Sequence, residues 1–322
     1  MRIRLYDVTR ITRTGLVPHS AIDAEDGAIT AVYDTLPAEE PGVRSVDAKG
    51  AYAAPGFIDI HLHGGGGVEF MDATPERIRA GCAAHARHGT TTLLPTTLAA
   101  SPELTLRMIR AVRQAQAATT ECTIAGVHLE GPFLALARKG AHDPECLKDP
   151  VPDIVDKMLE ASGADPASGK LGCIRQITIA PELPHGISAI RQFAAAGVVP
   201  AVGHCDADYE TAKAGFDAGA GIMTHMFNAM NGLHHREPGP IPAAVEDPRV
   251  TIELINDGFH VQDPMVSLSF RFAPHRTAFV TDAMAATDCP DGAYKLGALD
   301  VNVVGGHARL VSNGAIAGST LL

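Results

Sequence analysis

Two patterns of hydrophobic and polar positions divide the chain. Residues 1 to about 53 consist of short strand-like stretches separated by Gly, Pro and Asp turns, among them Arg2–Thr9, Ser20–Ala24 and Ala28–Tyr33. Short runs bounded by such turns are typical of small β-strands. From Pro55 onward, apolar strand-like runs alternate with helical stretches. This alternation predicts repeated βα units.

The segments between the apolar runs carry helix signals. Thr74-Pro75 and Ser101-Pro102 each place an N-capping side chain before a proline, which is a common start of a helix. Asp206–Ala218 and Pro264–Phe272 are further helix candidates. Eight strands joined by crossover helices favour a (β/α)8 barrel over an open sheet. The eight strand candidates are Gly56–His63, Thr91–Thr97, Thr123–Leu129, Ile174–Ala180, Val198–His204, Gly221–Phe227, Val250–Ile255 and Thr277–Thr281.

Composition and charge restrict the classes of function. The 322 residues are 46% hydrophobic and 20% charged, which is typical of a globular protein with a core, and the net charge of −11 argues against nucleic-acid binding. Six scattered cysteines without a CxxC pair indicate a reducing compartment. The N-terminus lacks the apolar centre of a signal peptide, and no apolar run approaches the roughly 18 residues of a membrane span. We therefore expect a cytoplasmic protein that binds neither nucleic acid nor membrane.

Polar side chains recur where the predicted strands end. His61 and His63 are alternate residues of one strand, so both point to the same side of it. The C-terminal ends of the strands are where (β/α)8 barrels build their active sites. One such histidine is more often a hydrogen-bonded core residue than a ligand, but the convergence of several predicts a site for one or two Zn²⁺-like ions. The converging groups are His61, His63, Glu130, His204 and His225, with Asp282 at the end of the eighth strand.

Five motifs together resemble a known family. Pro55–Gly64 is similar to the first-strand signature of the amidohydrolase superfamily. The other four motifs, which are more specific, resemble the N-acetylglucosamine-6-phosphate deacetylases, and the similarity runs from about residue 50 to the end of the sequence. These four are His128–Phe133, His225–Met230, Arg236–Gly239 and Asp257–His260.

The resemblance implies a distorted (β/α)8 TIM barrel with a small β-sandwich built from both chain ends. We expect residues 1–53 to form the N-terminal part of the sandwich and residues 54–290 the metal-dependent catalytic barrel. We expect residues 291–322 to be the last barrel segment, with the chain ending before the usual return to the sandwich. The family also implies a homodimer.

The resemblance also assigns roles to residues of this chain. Glu130, His204 and His225 would be the primary ligands of a divalent metal, expected to be zinc, and His61 and His63 would add a second ion. Asp282 would be the catalytic acid and base, and His142 would donate to the developing oxyanion. The implied contacts to a phosphorylated amino sugar are Ala141, His142, Asn228, Ala229, Arg236, Asp257, His260, Ile316 and Ala317.

The implied reaction is hydrolysis of N-acetyl-D-glucosamine 6-phosphate to D-glucosamine 6-phosphate and acetate by metal-activated water, in amino-sugar catabolism. Among the implied substrate contacts, Arg236 and His260 are expected to bind the phosphate group, which is a dianion. Arg236 is expected to reach across a dimer interface. One alternative is a deacetylase for the galactosamine epimer or another amidohydrolase, such as a D-aminoacylase or a dihydroorotase-like enzyme. Cyclic-amide enzymes commonly bridge two metals with a modified lysine where this chain has Glu130, which weighs against them. A more remote alternative is a non-catalytic barrel that serves as a binding module.

Overall fold

The computed structural model describes residues 1–118, 121–165 and 168–322. The chain divides into two compact units, Met1–Gly56 and Phe57–Leu322. Within the described residues, no helix has the length and apolar content needed to cross a bilayer.

The first unit is a five-stranded sheet in which β3, β2, β1 and β4 lie in that order and β5 pairs with β1. The pairs β1–β2 and β2–β3 are antiparallel, whereas β4 and β5 run parallel to β1. Arg4 and Asp23, both buried, join β1 to β2 through an Nε–Oδ1 contact of 2.7 Å. The strands are β1 (Arg2–Thr12), β2 (Gly15–Glu25), β3 (Ala28–Tyr33), β4 (Arg44–Asp47) and β5 (Tyr52–Ala53).

The second unit is built around a parallel sheet. Its strands are β6 (Phe57–Leu62), β9 (Thr90–Thr97), β10 (Thr123–Ile124), β11 (Val127–Glu130), β12 (Ile174–Ile179), β13 (Val199–Val202), β14 (Ile222–Met223), β15 (Thr251–Ile255) and β16 (Thr277–Val280), with the short hairpin β7 (Gly64–Gly65) and β8 (Val68–Glu69) after the first. The helices are α1 (Pro75–Ala86), α2 (Pro102–Gln116), α3 (Pro152–Ser162), α4 (Gly186–Ala195), α5 (Tyr209–Asp217), α6 (Pro240–Glu246) and α7 (Asp263–Phe272).

The parallel strands form a nearly closed barrel, as the sequence predicts. β6 pairs with β9, and pairing then continues through β11, β12, β13, β14 and β15 to β16. The ring closes where Leu62, at the end of β6, bridges Ala283, just after β16. Each of the eight predicted runs overlaps a barrel strand. The predicted helix starts are also confirmed, since Thr74 and Ser101 cap α1 and α2 by accepting from the main-chain N–H groups of Arg77 and Leu104.

The third predicted strand differs from the expectation of one continuous run. It is split into β10, which pairs only with β9, and β11, which pairs with β9 and β12. The break lies at Gly126, where an added Cβ would come within 2.4 Å of the Cys173 carbonyl oxygen. The close approach of this neighbouring backbone requires a glycine and interrupts the strand just before the segment that ends in Glu130.

After the barrel the chain forms three short β-strands. β17 (Gly292–Leu296), β18 (Leu299–Val304) and β19 (His307–Leu310) form an antiparallel sheet in that order. The residues beyond β19 turn back, so that Ile316 bridges Arg309 and Ser319 bridges Ala283. This arrangement brings the end of the chain next to the C-terminal end of the eighth barrel strand.

Candidate active site

Glu130 is the centre of a buried cluster at the C-terminal ends of the barrel strands. Its Oε1 lies 3.1 Å from Nε2 of His204 and 3.0 Å from Nε2 of His225, and these two ring nitrogens are 3.1 Å apart. Its other neighbours are His61, with Nε2 3.2 Å from Oε1, and His63, with Nε2 3.1 Å from Oε2. The five residues predicted to converge are therefore together.

Glu130 belongs to two groups of three residues whose ligand atoms lie within 4.8 Å of one another. One group is Glu130, His204 and His225, and the other is His61, His63 and Glu130. Burial alone would raise the pKa of Glu130, but the surrounding imidazoles, His61 and His204 foremost, hold it well below its usual value. The carboxylate is thus an anion that both groups share.

The tautomers of the cluster fit a divalent cation. Nδ1 of His204 is 2.8 Å from the Arg138 carbonyl oxygen, which can only accept, so Nδ1 carries the hydrogen and Nε2 of the neutral ring is a lone pair. That lone pair lies 3.1 Å from Oε1 of the Glu130 carboxylate, and two such electron-rich atoms repel each other unless a positive charge lies between them. Two imidazole nitrogens and one carboxylate oxygen are a ligand set that Zn²⁺ accepts.

Asp282 lies beside the second group. Its Oδ1 is 3.1 Å from Nε2 of His63 and 3.7 Å from Nε2 of His61. Burial is the largest single effect and opposes ionisation, but the contacts to His63 and His61 together outweigh it and lower the pKa of Asp282 to about 2. The same contacts act on His63, where bonds to Asp282 and Glu130 overcome burial and raise its pKa to about 9. Asp282 is therefore an ionised carboxylate at neutral pH.

His142 reaches the cluster from the loop after the third strand. Its Nδ1 accepts a hydrogen bond from the main-chain N–H of Ala99 at 3.1 Å, and Nε2 lies 3.4 Å from Oε2 of Glu130. Burial lowers the pKa of His142 to about 4, against the opposing effect of Glu130. A neutral ring that accepts at Nδ1 carries its hydrogen on Nε2, so His142 presents a donor to the cluster.

Three of these side chains start from an unfavourable backbone conformation. His204, His225 and Asp282 have φ values of 47°, 25° and 50°. Left-handed backbone at a residue other than glycine costs of the order of 1–3 kcal/mol and is concentrated at functional sites. The backbone strain therefore occurs at the C-terminal ends of three barrel strands, at residues whose polar side chains form the cluster.

A cavity of about 180 Å³ opens onto the cluster and receives six of the nine predicted substrate contacts. Leu98, Ile255 and Leu296 supply apolar parts of its wall. Asp257 lies behind His260, with Oδ2 2.7 Å from the His260 Nδ1, and Ala317 is buried between two lining residues. The six are Ala141, His142, Asn228, Ala229, His260 and Ile316.

Arg236 lies outside this cavity. It is exposed, and its Nη1 is 2.7 Å from Nε2 of His235. Arg236 lines a separate depression with Arg138 and Asn231. Among the described residues that line the cavity there is no Lys or Arg.

Sequence reasoning missed Glu253, a fully buried carboxylate on β15. Its Oε2 is 3.2 Å from Nδ1 of His61, and its Oε1 accepts from Nε2 of Gln176 at 2.7 Å. The signal was present, since Glu253 is a charged residue within the apolar run Val250–Ile255. A buried charge of this kind is rare unless it is paired. The run therefore indicates a candidate functional residue as well as a strand.

Similarity to known proteins is extensive. Residues 52–294 match the amidohydrolase family. N-acetylgalactosamine-6-phosphate deacetylase of Escherichia coli O157:H7 is 35% identical over 314 residues, which are 97% of this chain and 79% of the relative. N-acetylglucosamine-6-phosphate deacetylase of Lysinibacillus sphaericus is 32% identical over 322 residues, 98% of this chain and 80% of the relative. A solved mutant N-acetyl-D-glucosamine-6-phosphate deacetylase of Mycobacterium smegmatis, in complex with N-acetyl-D-glucosamine-6-phosphate, is 40% identical with a TM-score of 0.87, covering 100% of this chain and 80% of that one.

Proposed function

The chain belongs to the amidohydrolase family, and from that premise we propose that it hydrolyses N-acetyl-D-glucosamine 6-phosphate to D-glucosamine 6-phosphate and acetate. The observation that carries the proposal is the buried Glu130, His204 and His225 group, together with a cavity that opens onto it and that Asp282 also lines. The names of relatives similar over nearly the full length of the chain give the substrate class.

The proposed cofactor is a divalent metal, with zinc as the first choice for a site of imidazoles and one carboxylate. Glu130, His204 and His225 would hold one ion, and His61 and His63 would hold a second together with Glu130. When bound, such an ion supplies Lewis acidity, making water a stronger acid and polarising an amide carbonyl.

The chain's own residues would carry the proton transfers. The carboxylate of Asp282 takes the proton of the attacking water as the new C–O bond forms, and later gives it to the sugar nitrogen as the amide C–N bond breaks. Nε2–H of His142 donates to the carbonyl oxygen while negative charge develops there. The released products are acetate and the free amine of the sugar.

The galactosamine epimer is a second candidate substrate, because a relative named for that epimer is 35% identical to this chain. The two substrates differ in the orientation of one hydroxyl group. The decisive experiment measures acetate release by zinc-loaded protein from both 6-phosphorylated epimers, with and without a chelator. We expect chelator-sensitive release and the higher kcat/KM for the glucosamine epimer. No release from either sugar would contradict the proposal and favour a binding module.

Arg236 is proposed to bind the substrate phosphate at the active site of a partner subunit in a homodimer. The substrate is a dianion, the cavity lining described above offers no Lys or Arg, and Arg236 is exposed outside that cavity. A guanidinium can bond phosphate oxygens in pairs. Such charge-assisted bonds contribute roughly 1.5–3 kcal/mol each. Arg236→Ala should therefore lower kcat/KM for the phosphorylated sugar about ten- to a hundredfold.

A substrate without the phosphate group is the control for this variant. Unphosphorylated N-acetylglucosamine should be a poor substrate that Arg236→Ala leaves nearly unchanged. Arg249→Ala removes another exposed arginine, one that pairs with Asp247, and should leave both sugars unaffected. If Arg236→Ala reduces both sugars equally, Arg236 supports the fold and does not bind the phosphate. Sedimentation analysis of the wild type tests the dimer.

A further inference from the structure

Glu253 is fully buried, and three hydrogen-bond donors from different parts of the barrel converge on its carboxylate. Oε1 accepts from Nε2 of Gln176 on β12, and Oε2 accepts from the main-chain N–H of His225 at 3.4 Å. Nδ1 of His61 on β6 lies 3.2 Å from the same Oε2. A carboxylate buried this deeply is costly unless it is paired in this way. A packed apolar side chain would fill the position at lower cost, so stability alone does not account for a glutamate here.

The contact to His61 fixes the chemistry of that ring. A carboxylate oxygen accepts, so the hydrogen of the neutral imidazole resides on Nδ1 and Nε2 is left as a lone pair. Nε2 is buried and, among the described residues, has no hydrogen-bond partner. It lies 3.2 Å from Oε1 of Glu130. The ring therefore presents a bare nitrogen to the carboxylate that both candidate metal groups share.

We infer that Glu253 is a positioning residue that holds His61 as a metal ligand, with Nε2 directed at the ion. The inference rests on the proposed metal dependence. Carboxylates that bond the far nitrogen of a ligating histidine fix its tautomer and orientation and increase its basicity. By its bond to the main chain of His225, the same carboxylate also supports a second ligand, whose φ is 25°.

A second buried carboxylate, on the same strand as His61, illustrates the difference in role. Asp59 accepts from the main-chain N–H of His61 and from the hydroxyl of Thr281. These bonds hold the backbone of β6 against the eighth strand and do not involve the His61 ring. Asp59 thus fixes where the strand lies, and Glu253 fixes which nitrogen of His61 faces the cluster.

The experiment is a Zn²⁺ titration of metal-free protein, followed by elemental analysis and by the metal-dependent rise in Tm. The principal variant is Glu253→Gln, which keeps the volume and loses the charge. The control is Gln176→Met, which removes a different bond to Glu253 and leaves the His61 contact. Both changes are then repeated in a His61→Ala background. Loss of such an orienting partner typically costs about 10- to 100-fold in metal affinity.

We expect Glu253→Gln to weaken Zn²⁺ binding by that factor and Gln176→Met to weaken it much less. Once His61 is alanine, we expect Glu253→Gln to have little further effect, because glutamine keeps an oxygen that can accept from the His225 main-chain N–H. Unchanged affinity in Glu253→Gln, or an equal loss with and without His61, would overturn the inference.

If the Glu253 variants fail to fold, ¹⁵N-histidine NMR of the zinc-loaded wild type decides between the outcomes. The His61 signal is identified by its loss in His61→Ala. A hydrogen on Nδ1 is expected, and one on Nε2 would contradict the assignment. The zinc titration contains no substrate and therefore tests the role of Glu253 independently of the reaction. If zinc binds as expected but no acetate is released, only the proposed function is contradicted.

Discussion

Glu130→Ala is expected to abolish bound metal and acetate release together. Both candidate metal groups contain Glu130, so one substitution removes a donor from each. It also removes the negative charge nearest to all four histidines, so the site loses an anion that would offset the charge of a divalent ion. The four are His61, His63, His204 and His225. Metal content by elemental analysis and acetate release from N-acetyl-D-glucosamine 6-phosphate measure the two effects on the same sample.

Glu130→Gln is the matched variant for this prediction, since it keeps the side-chain volume and one oxygen donor but loses the charge. We expect it to retain little metal and to be nearly as inactive as Glu130→Ala. Far-UV circular dichroism and thermal unfolding of both metal-free variants check that the barrel still forms. Full metal occupancy with normal turnover in Glu130→Ala would remove Glu130 from the proposed ligand set.

Asp282→Asn should retain metal and substrate binding while kcat falls by roughly 10²–10⁴-fold, the range typical of losing a general acid–base group. Asparagine keeps the shape and the hydrogen bond near His63 but cannot accept and return a proton. The contacts to His63 and His61 together outweigh burial and lower the pKa of Asp282 to about 2, so the wild-type side chain is ionised at neutral pH. Single-turnover kinetics and zinc content separate the chemical step from metal binding.

The nearby residue Asp59 provides the comparison for Asp282. It is also a buried carboxylate, but it bonds Thr281 and the His61 main chain instead of facing the cavity. Asp59→Asn should therefore lower stability with a much smaller change in kcat than Asp282→Asn. Loss of zinc from Asp282→Asn would identify Asp282 as a metal ligand and contradict its assignment as the proton carrier.

The barrel was predictable because its signals are local. Each apolar run bounded by turns contains a strand, and capping residues such as Thr74 and Ser101 precede the helices that they begin. Polar residues at strand ends come together in any closed parallel barrel, since the strands point the same way. This is why His61, Glu130 and His225 could be grouped from residues far apart in the chain.

The roles of individual nitrogen atoms depended on distant contacts. In each neutral ring, a contact to a distant residue decides which nitrogen carries the hydrogen. The contact is to Ala99 for His142, to the Arg138 carbonyl for His204 and to Glu253 for His61. Partners of this kind come from other strands and loops, and nothing in the neighbouring sequence specifies them. Glu253 itself was read as part of an apolar run, because periodicity does not reveal what a buried charge faces.

Local patterns in the sequence are sufficient to predict the order of strands and helices, the barrel that they form and the polar residues at its C-terminal end. Each of these follows from local periodicity, capping and the common direction of parallel strands. The three-dimensional arrangement was needed to show that Glu130 belongs to both candidate metal groups, that Arg236 lies outside the cavity and that Glu253 contacts the His61 ring. Those outcomes depend on side-chain orientation and ring closure, where a difference of about an ångström changes which atoms are in contact.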